Sequence, residues 1–340
     1  MRFFQTLWRF LVSLQLLPAL EGGEETLVGG QAVLEGVMMR TPHAWGITCR
    51  KPSGELMTHS EPLERLSEKH KWMAWPVVRG VMTLGHAMTL GFRALRFSAN
   101  VQLDELQKDE SGRPPEKKFE ISGWIATVNI LISVGFFIFM YKYLPLLATT
   151  ELKKGHPSLN GQITFNLIDG IIRLVLFLLF IWGTSLLRDI RRVYQYHGAE
   201  HKTVFAFENG DPLLTSAVQK YPTFHPRCGT SFLLIVMVVA IVVFAPLGTP
   251  AWYILFPSRV IGIPLVAGLA FELIKLFGKK RDKRWAQILM APGMQLQKLT
   301  TREPDLTQLE VAIVALQAVL AVENPEKATD EERVGMEVVA

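Results

Sequence analysis

Residues 121–141 read ISGWIATVNILISVGFFIFMY and contain no charged side chain. Roughly 20 such residues suffice to cross the hydrocarbon core of a bilayer, so this stretch decides the fold class. A second charge-free run, residues 228–258, reads CGTSFLLIVMVVAIVVFAPLGTPAWYILFPS. Two further runs are apolar except for isolated charges: residues 166–187, broken by Asp169 and Arg173, and residues 260–277, broken by Glu272 and Lys275. The expectation is a mainly α polytopic membrane protein with about four transmembrane helices and a small cytoplasmic α+β part. The third and fourth helices are separated by a proline-containing bend at 246–257. Pro250, Pro257 and Pro264 leave open one span plus a re-entrant segment in that region. A chain of 340 residues that is 49% hydrophobic with positive mean hydropathy fits this reading and argues against a purely soluble protein.

Charge orients the spans. Arg93, Arg96, Lys117 and Lys118 precede the first; Arg188, Arg191, Arg192 and Arg227 lie between the second and third; Lys279, Lys280 and Lys283 follow the fourth. The opposite connections carry little, with Lys153 and Lys154 in one and Arg259 at most in the other. The positive-inside rule then puts both termini and the Arg188 to Arg227 segment on the cytoplasmic side. Cys49 and Cys228 fall on that reducing side, which disfavours a disulfide and leaves them as thiols or metal ligands.

Residues 1–28 begin MRFFQTLWRFLVSLQLLPAL; Arg9 and Gln15 interrupt the apolar character, which fits an amphipathic interfacial segment better than a signal peptide. Residues 29–118 hold a cytoplasmic β element and an interfacial helix. AWGITCR and GELMTHS favour strands around the turn KPSG, and residues 72–100 have a helical period on the leaflet surface. Residues 119–278 are the transmembrane region, interrupted by a cytoplasmic motif loop at 188–228. Residues 279–325 are a cytoplasmic C-terminal helix starting near Asp305, and 326–340 a flexible tail.

The motif loop carries the sharpest chemical signal. His197-Gly-Ala-Glu200-His201 is an H-x-x-E-H arrangement. On a helix the two imidazoles share a face, and the glutamate beside them can accept a proton, in the inverted order of the zinc-peptidase motif. His225 and Cys228, three apart in FHPRCGTSF, supply further zinc-type donors, and Glu208 in FENGD an oxygen donor or outer partner. Four donors would close a structural site; three would leave a position open for hydrolysis. Asp169 and Arg173 read as an ion pair within a span, and Glu272 and Lys275 as residues that snorkel from a helix end.

Four blocks, GGQAVLEGVMMR, HGAEHKTVFAFE, HPRCGTSF and LTTREPDLTQLEVAIVAL, together resemble the YqhQ-like family of bacterial membrane proteins, described as predicted metal-dependent enzymes. The resemblance runs from Gly29 to about Val322. It implies a bacterial inner-membrane location and functional positions at Glu35 and Arg40, at His197, Glu200, His201 and Lys202, and at His225, Arg227 and Cys228.

The leading expectation is a zinc-like divalent metal held by His197, His201 and either His225 or Cys228, with Glu200 as catalytic general base of a hydrolase at the cytoplasmic membrane face. The rival is a non-enzymatic assembly or scaffold factor. Its basic face, in a chain of net charge +5 and pI near 9.1, would meet anionic lipid, the ribosome or the translocon. A transporter is disfavoured by the few spans and the lack of a hydropathy repeat.

Overall fold

The structure, a computed structural model, describes residues 28–64, 71–106, 123–155, 161–226, 228–247, 252–280 and 283–325. The expected N-terminal segment before residue 28, the charged linker after residue 106, Arg227 and the tail lie outside the described residues.

Four strands form an antiparallel meander in chain order: β1 Gly29–Val33, β2 Gly36–Arg40, β3 Ala44–Arg50 and β4 Leu56–Pro62. β3 and β4 are the expected hairpin, and Gly54 in its turn has φ +94°, a conformation that glycine adopts without steric cost. β1 and β2 are joined through Leu34 and Glu35, and Glu35 adopts φ +49°, unusual for a residue with a side chain. Both faces of the sheet are covered. Val37, Met39 and Ala44 enter one core, while Met38, Trp45 and Ile47 enter another with Leu90 and Ala94. Burial on both faces explains why β2 shows no alternation of polar and apolar residues.

The first core is organised by helix α10, Leu306–Glu323 (α1 to α9 are placed below). Asp305 caps it in a capping box with Gln308, so the chain enters the helix with its first N–H groups satisfied. α10 lies between the sheet and α5, Arg188–Glu208, and buries Leu309, Ala312, Leu316 and Val319 completely. Length and composition alone would let α10 cross a membrane, but half of its apolar window is buried inside the protein. It is apolar on all sides because it has protein on more than one side.

The second core is closed by α1, Val78–Leu106, whose Leu90, Ala94 and Val101 pack on the sheet. The beginning of α1 instead meets the apolar helices. A Cβ on Gly80 would stand 2.7 Å from Phe271, and one on Gly268 would stand 2.4 Å from Val77, so the two helices approach closely there. Arg79 grips Glu272 through two hydrogen bonds, 2.7 Å and 2.5 Å. Glu272 is thus the docking point of α1, a correction to its reading as a snorkelling side chain.

The apolar helices are α2 Gly123–Ile138, continued through a π-turn at Phe139–Tyr143 into α3 Leu144–Gly155; α4 Gln162–Thr184; α7 Gly229–Phe244; and α8 Trp252–Lys279. A four-residue helix α6, Thr215–Val218, follows α5, and α9, Arg284–Thr300, follows α8. The protein is mainly helical, and Leu131–Gly155 and Ile163–Thr184 join Leu306–Glu323 as helices long and apolar enough to cross a membrane. The run at 228–258 does not form one helix. α7 stops after sixteen residues, about 24 Å at 1.5 Å per residue, and α8 begins anew at Trp252 with Pro257 and Pro264 inside it. Asp169 and Arg173 pair at 2.5 Å on α4.

Candidate metal centre

Residues 188–228 fold as α5, α6 and the turns that lead into α7. On α5, His197 and His201 stand one turn apart with ring centroids 4.4 Å from each other. Gly198 between them is required by a backbone crossing: a Cβ there would lie 2.1 Å from the Arg302 carbonyl oxygen. The crossing is fixed by the Arg302 N–H, which donates to the Tyr194 carbonyl at 2.9 Å. It also brings the Thr300 carbonyl to within 2.8 Å of His197 Nδ1. The Thr223 carbonyl lies 2.5 Å from His201 Nδ1 in the same way. A carbonyl can only accept, so both rings carry a proton on Nδ1 and, in the neutral form, present a lone pair on Nε2.

Cys228 caps α7 and accepts the Thr230 N–H at 3.4 Å. Its Sγ lies 3.3 Å from His197 Nε2. The donor atoms of His197, His201 and Cys228 all lie within 4.8 Å of one another. His201 is 2% exposed and its Nε2 has no hydrogen-bond partner among the described residues. Burial lowers the His201 pKa, against the opposing influence of the nearby Cys228 thiol and of the Thr223 carbonyl, which favours the neutral, ligating form.

Glu200 lies outside this donor cluster. It receives the Gly30 N–H, and among the described residues one of its carboxylate oxygens is buried with no partner. Burial pushes its pKa up, opposed by His197, His225 and that N–H, so the carboxyl is a ready proton carrier beside the histidines.

His225 is held elsewhere. Gln297 accepts its backbone N–H and donates to its carbonyl, both at 2.8 Å. Its ring meets Glu208 at 3.4 Å and packs edge-on against Phe205 at 4.5 Å, while its centroid stands 5.8 Å from that of His201. Lys202 is buried and bridges the Gln219 carbonyl at 2.8 Å and Glu303 at 2.5 Å. Glu35 pairs with Arg192 and accepts the Tyr196 hydroxyl at 3.2 Å, tying the β1–β2 turn to α5. That hydrogen bond from Arg192, helped by the carboxylate charge, raises the arginine's pKa. Arg40 stands at the end of β2 on the other face of the sheet. The structure therefore gathers His197, His201 and Cys228, sets Glu200 beside them, and assigns Lys202 and Glu35 to ion pairs between elements.

Spacing could not reveal Thr223, Thr300 or Gln297, since two act through backbone oxygens and the third through a partner 72 residues away. The one sequence pointer was the block LTTREPD, which contains Thr300 and the crossing residue Arg302.

A family described as "Protein of unknown function (DUF1385)" matches residues 75–322. The chain belongs to the DUF1385 family. It is also 33% identical over 298 residues to the "Uncharacterized protein YqhQ" of Bacillus subtilis (strain 168), covering 87% of this chain and 92% of that protein. No solved structure matches. The DUF1385 match takes in all three clustered donors and Glu200, whereas Glu35 and Arg40 precede it.

Proposed function

We propose that this DUF1385 protein is a metal-dependent membrane enzyme of the hydrolase class, with a zinc-type ion held by His197, His201 and Cys228. The observation that carries the reading is the pair of anchored histidines. Each Nδ1 is committed to a carbonyl, the His197 Nε2 meets the Cys228 thiol, and the His201 Nε2 is buried without a hydrogen-bond partner among the described residues. Outer partners that fix tautomer and ring orientation are characteristic of metal-ligating histidines. A zinc–sulfur bond of about 2.3 Å and zinc–nitrogen bonds of about 2.0 Å at tetrahedral angles need donors about 3.5 Å apart. The Cys228 to His197 separation of 3.3 Å meets this, and His201 needs only a small closure. When bound, such an ion supplies Lewis acidity to a carbonyl or phosphoryl oxygen.

The protein's own groups do the rest. Three donors leave one position for a substrate oxygen, and Glu200 is the proton acceptor and donor. The membrane location is supported by the exposed apolar surface of α2 and α4, where Leu131, Ile132, Leu179 and Trp182 stand half or more exposed. With the arginines on either side of the site, this supports a bacterial inner-membrane protein whose metal centre faces the cytoplasm. The substrate is then cytoplasmic or carried by the leaflet.

Cobalt substitution tests the donor set. Cobalt-loaded wild type should show a sulfur-to-metal charge-transfer band that Cys228→Ser abolishes and His225→Ala retains. A band that survives Cys228→Ser overturns this set. Glu200→Gln should retain the metal while losing hydrolysis; equal hydrolysis would remove Glu200 from the reaction.

A further inference from the structure

The sheet face turned to α1 ends in positive charge. Residues directly opposite in an antiparallel pair share a face, so Gly29 and Arg40 point the same way as Gln31 and Met38. Met38 packs with Leu90 and Ala94 of α1. His86 precedes Leu90 by four residues and shares its stripe, so this packing sets His86 against the Arg40 end of the sheet. Arg93, two turns further on, reaches Glu61 at 3.7 Å with its side chain 62% exposed. The three groups sense each other: burial lowers the His86 pKa, and Arg40 and then Arg93 lower it further. Among the described residues, burial is the one influence resolved on Arg40, with no carboxylate to offset it.

Beside this cluster there is room and an apolar surface. Among the described residues, a Cβ on Gly29, the strand partner of Arg40, would meet nothing within 4 Å. Outward on α1, Met88, Phe92 and Leu95 are exposed at helical spacing, and Trp72 and Trp75 are exposed just before the helix. Cations beside an exposed apolar and tryptophan-bearing stripe are the composition of an element lying in a membrane interface.

We propose that Arg40, His86 and Arg93 form a binding site for the phosphate of an anionic phospholipid, with the α1 stripe resting on the acyl chains of the same leaflet. Free phosphate would use the cations but leave the stripe without a function, which is why a lipid is the occupant. The site is independent of the metal reading. Gly30, next to Gly29, faces the opposite side of the sheet, where its N–H holds Glu200.

The test uses the full chain, delipidated in an uncharged detergent and titrated with phosphatidylglycerol, phosphatidylcholine or inorganic phosphate, with lipid adducts counted by native mass spectrometry. Wild type should retain phosphatidylglycerol in preference to phosphatidylcholine, with no competition from inorganic phosphate. Arg40→Gln and Arg93→Gln should each weaken that binding about fivefold, the effect of one surface cation on an anionic lipid. Gly29→Leu, which fills the open space and changes no charge, should weaken it as well. Arg93 is exposed, so its variant keeps the test valid if Arg40→Gln fails to fold, and unchanged lipid-free melting certifies each variant. Unaltered phosphatidylglycerol binding in the folded variants overturns the site. Competition by inorganic phosphate at the same concentration overturns the lipid as its occupant.

Discussion

At Gly198 a single hydrogen atom stands where any side chain would strike the Arg302 carbonyl, and the whole donor geometry depends on that crossing. Gly198→Ala should therefore destabilise the protein by about 2 to 3 kcal/mol, the cost of overpacking a rigid contact. It should also lower metal retention, because the displaced segment carries the Thr300 carbonyl; unchanged melting and retention would contradict the crossing. The two cysteines differ as sharply. Cys49 is fully buried in the sheet core, and burial, with the Glu35 charge added, pushes its pKa up to about 12. In a Cys228→Ser variant, Cys49 should resist a maleimide at pH 8 until the protein is unfolded, and labelling of the folded variant would refute its burial. His197 and His201 were legible as a pair because helical spacing puts i and i+4 together. That the His225 ring meets Glu208 instead of joining the Cys228 cluster was not legible, because Gln297 clamps the His225 backbone from a distant helix. Carbonyl anchors such as Thr223 leave no mark, since every residue has a carbonyl.

Among the elements, α10 shows how hydropathy misleads. Its composition matches a transmembrane span, yet Leu309 and Leu316 are sealed within the core shared with the sheet and α5. Its start was legible from Pro304 and Asp305, because capping is a local property of sequence. Asp305→Ala should cost about 1 kcal/mol. The pH dependence follows from the cap. Burial pushes the Asp305 carboxyl up, but hydrogen bonds from Thr307 and Gln308 outweigh it and hold the pKa below the ordinary value. A depressed folded pKa gives stability that is complete above the unfolded value, near 4, and is lost as pH falls through the folded one. The melting difference between wild type and Asp305→Ala should thus be full at pH 7 and close below about pH 4; a constant difference would exclude the charged cap. β3 and β4 were readable from the KPSG turn, whereas β1 and β2 were obscured by burial on both faces and by a turn that uses Glu35 instead of glycine.

Across the whole molecule, α1 joins the sheet to the apolar helices, and Arg79 with Glu272 is its tie at the end that meets those helices. Both side chains are less than one-fifth exposed, so removing one leaves the other charge without its partner in a poorly solvated position, at a cost of several kcal/mol. Arg79→Gln should make the loop before α1 markedly more sensitive to protease, and Arg79→Gln/Glu272→Gln should recover part of the resistance; equal sensitivity of all three proteins would show that the tie does not hold α1. The apolar helices were legible as uncharged runs, and the break between α7 and α8 was legible from the prolines of 246–257 although no charge marks it. The central claim is the metal centre, and the direct measurement is metal per chain by elemental analysis of detergent-purified protein, wild type against His197→Ala/His201→Ala. Close to one zinc-type ion per wild-type chain, lost in the double variant while the fold persists, is the result expected. No metal in wild type after zinc loading and removal of excess would contradict it and leave the non-enzymatic membrane scaffold as the reading to pursue.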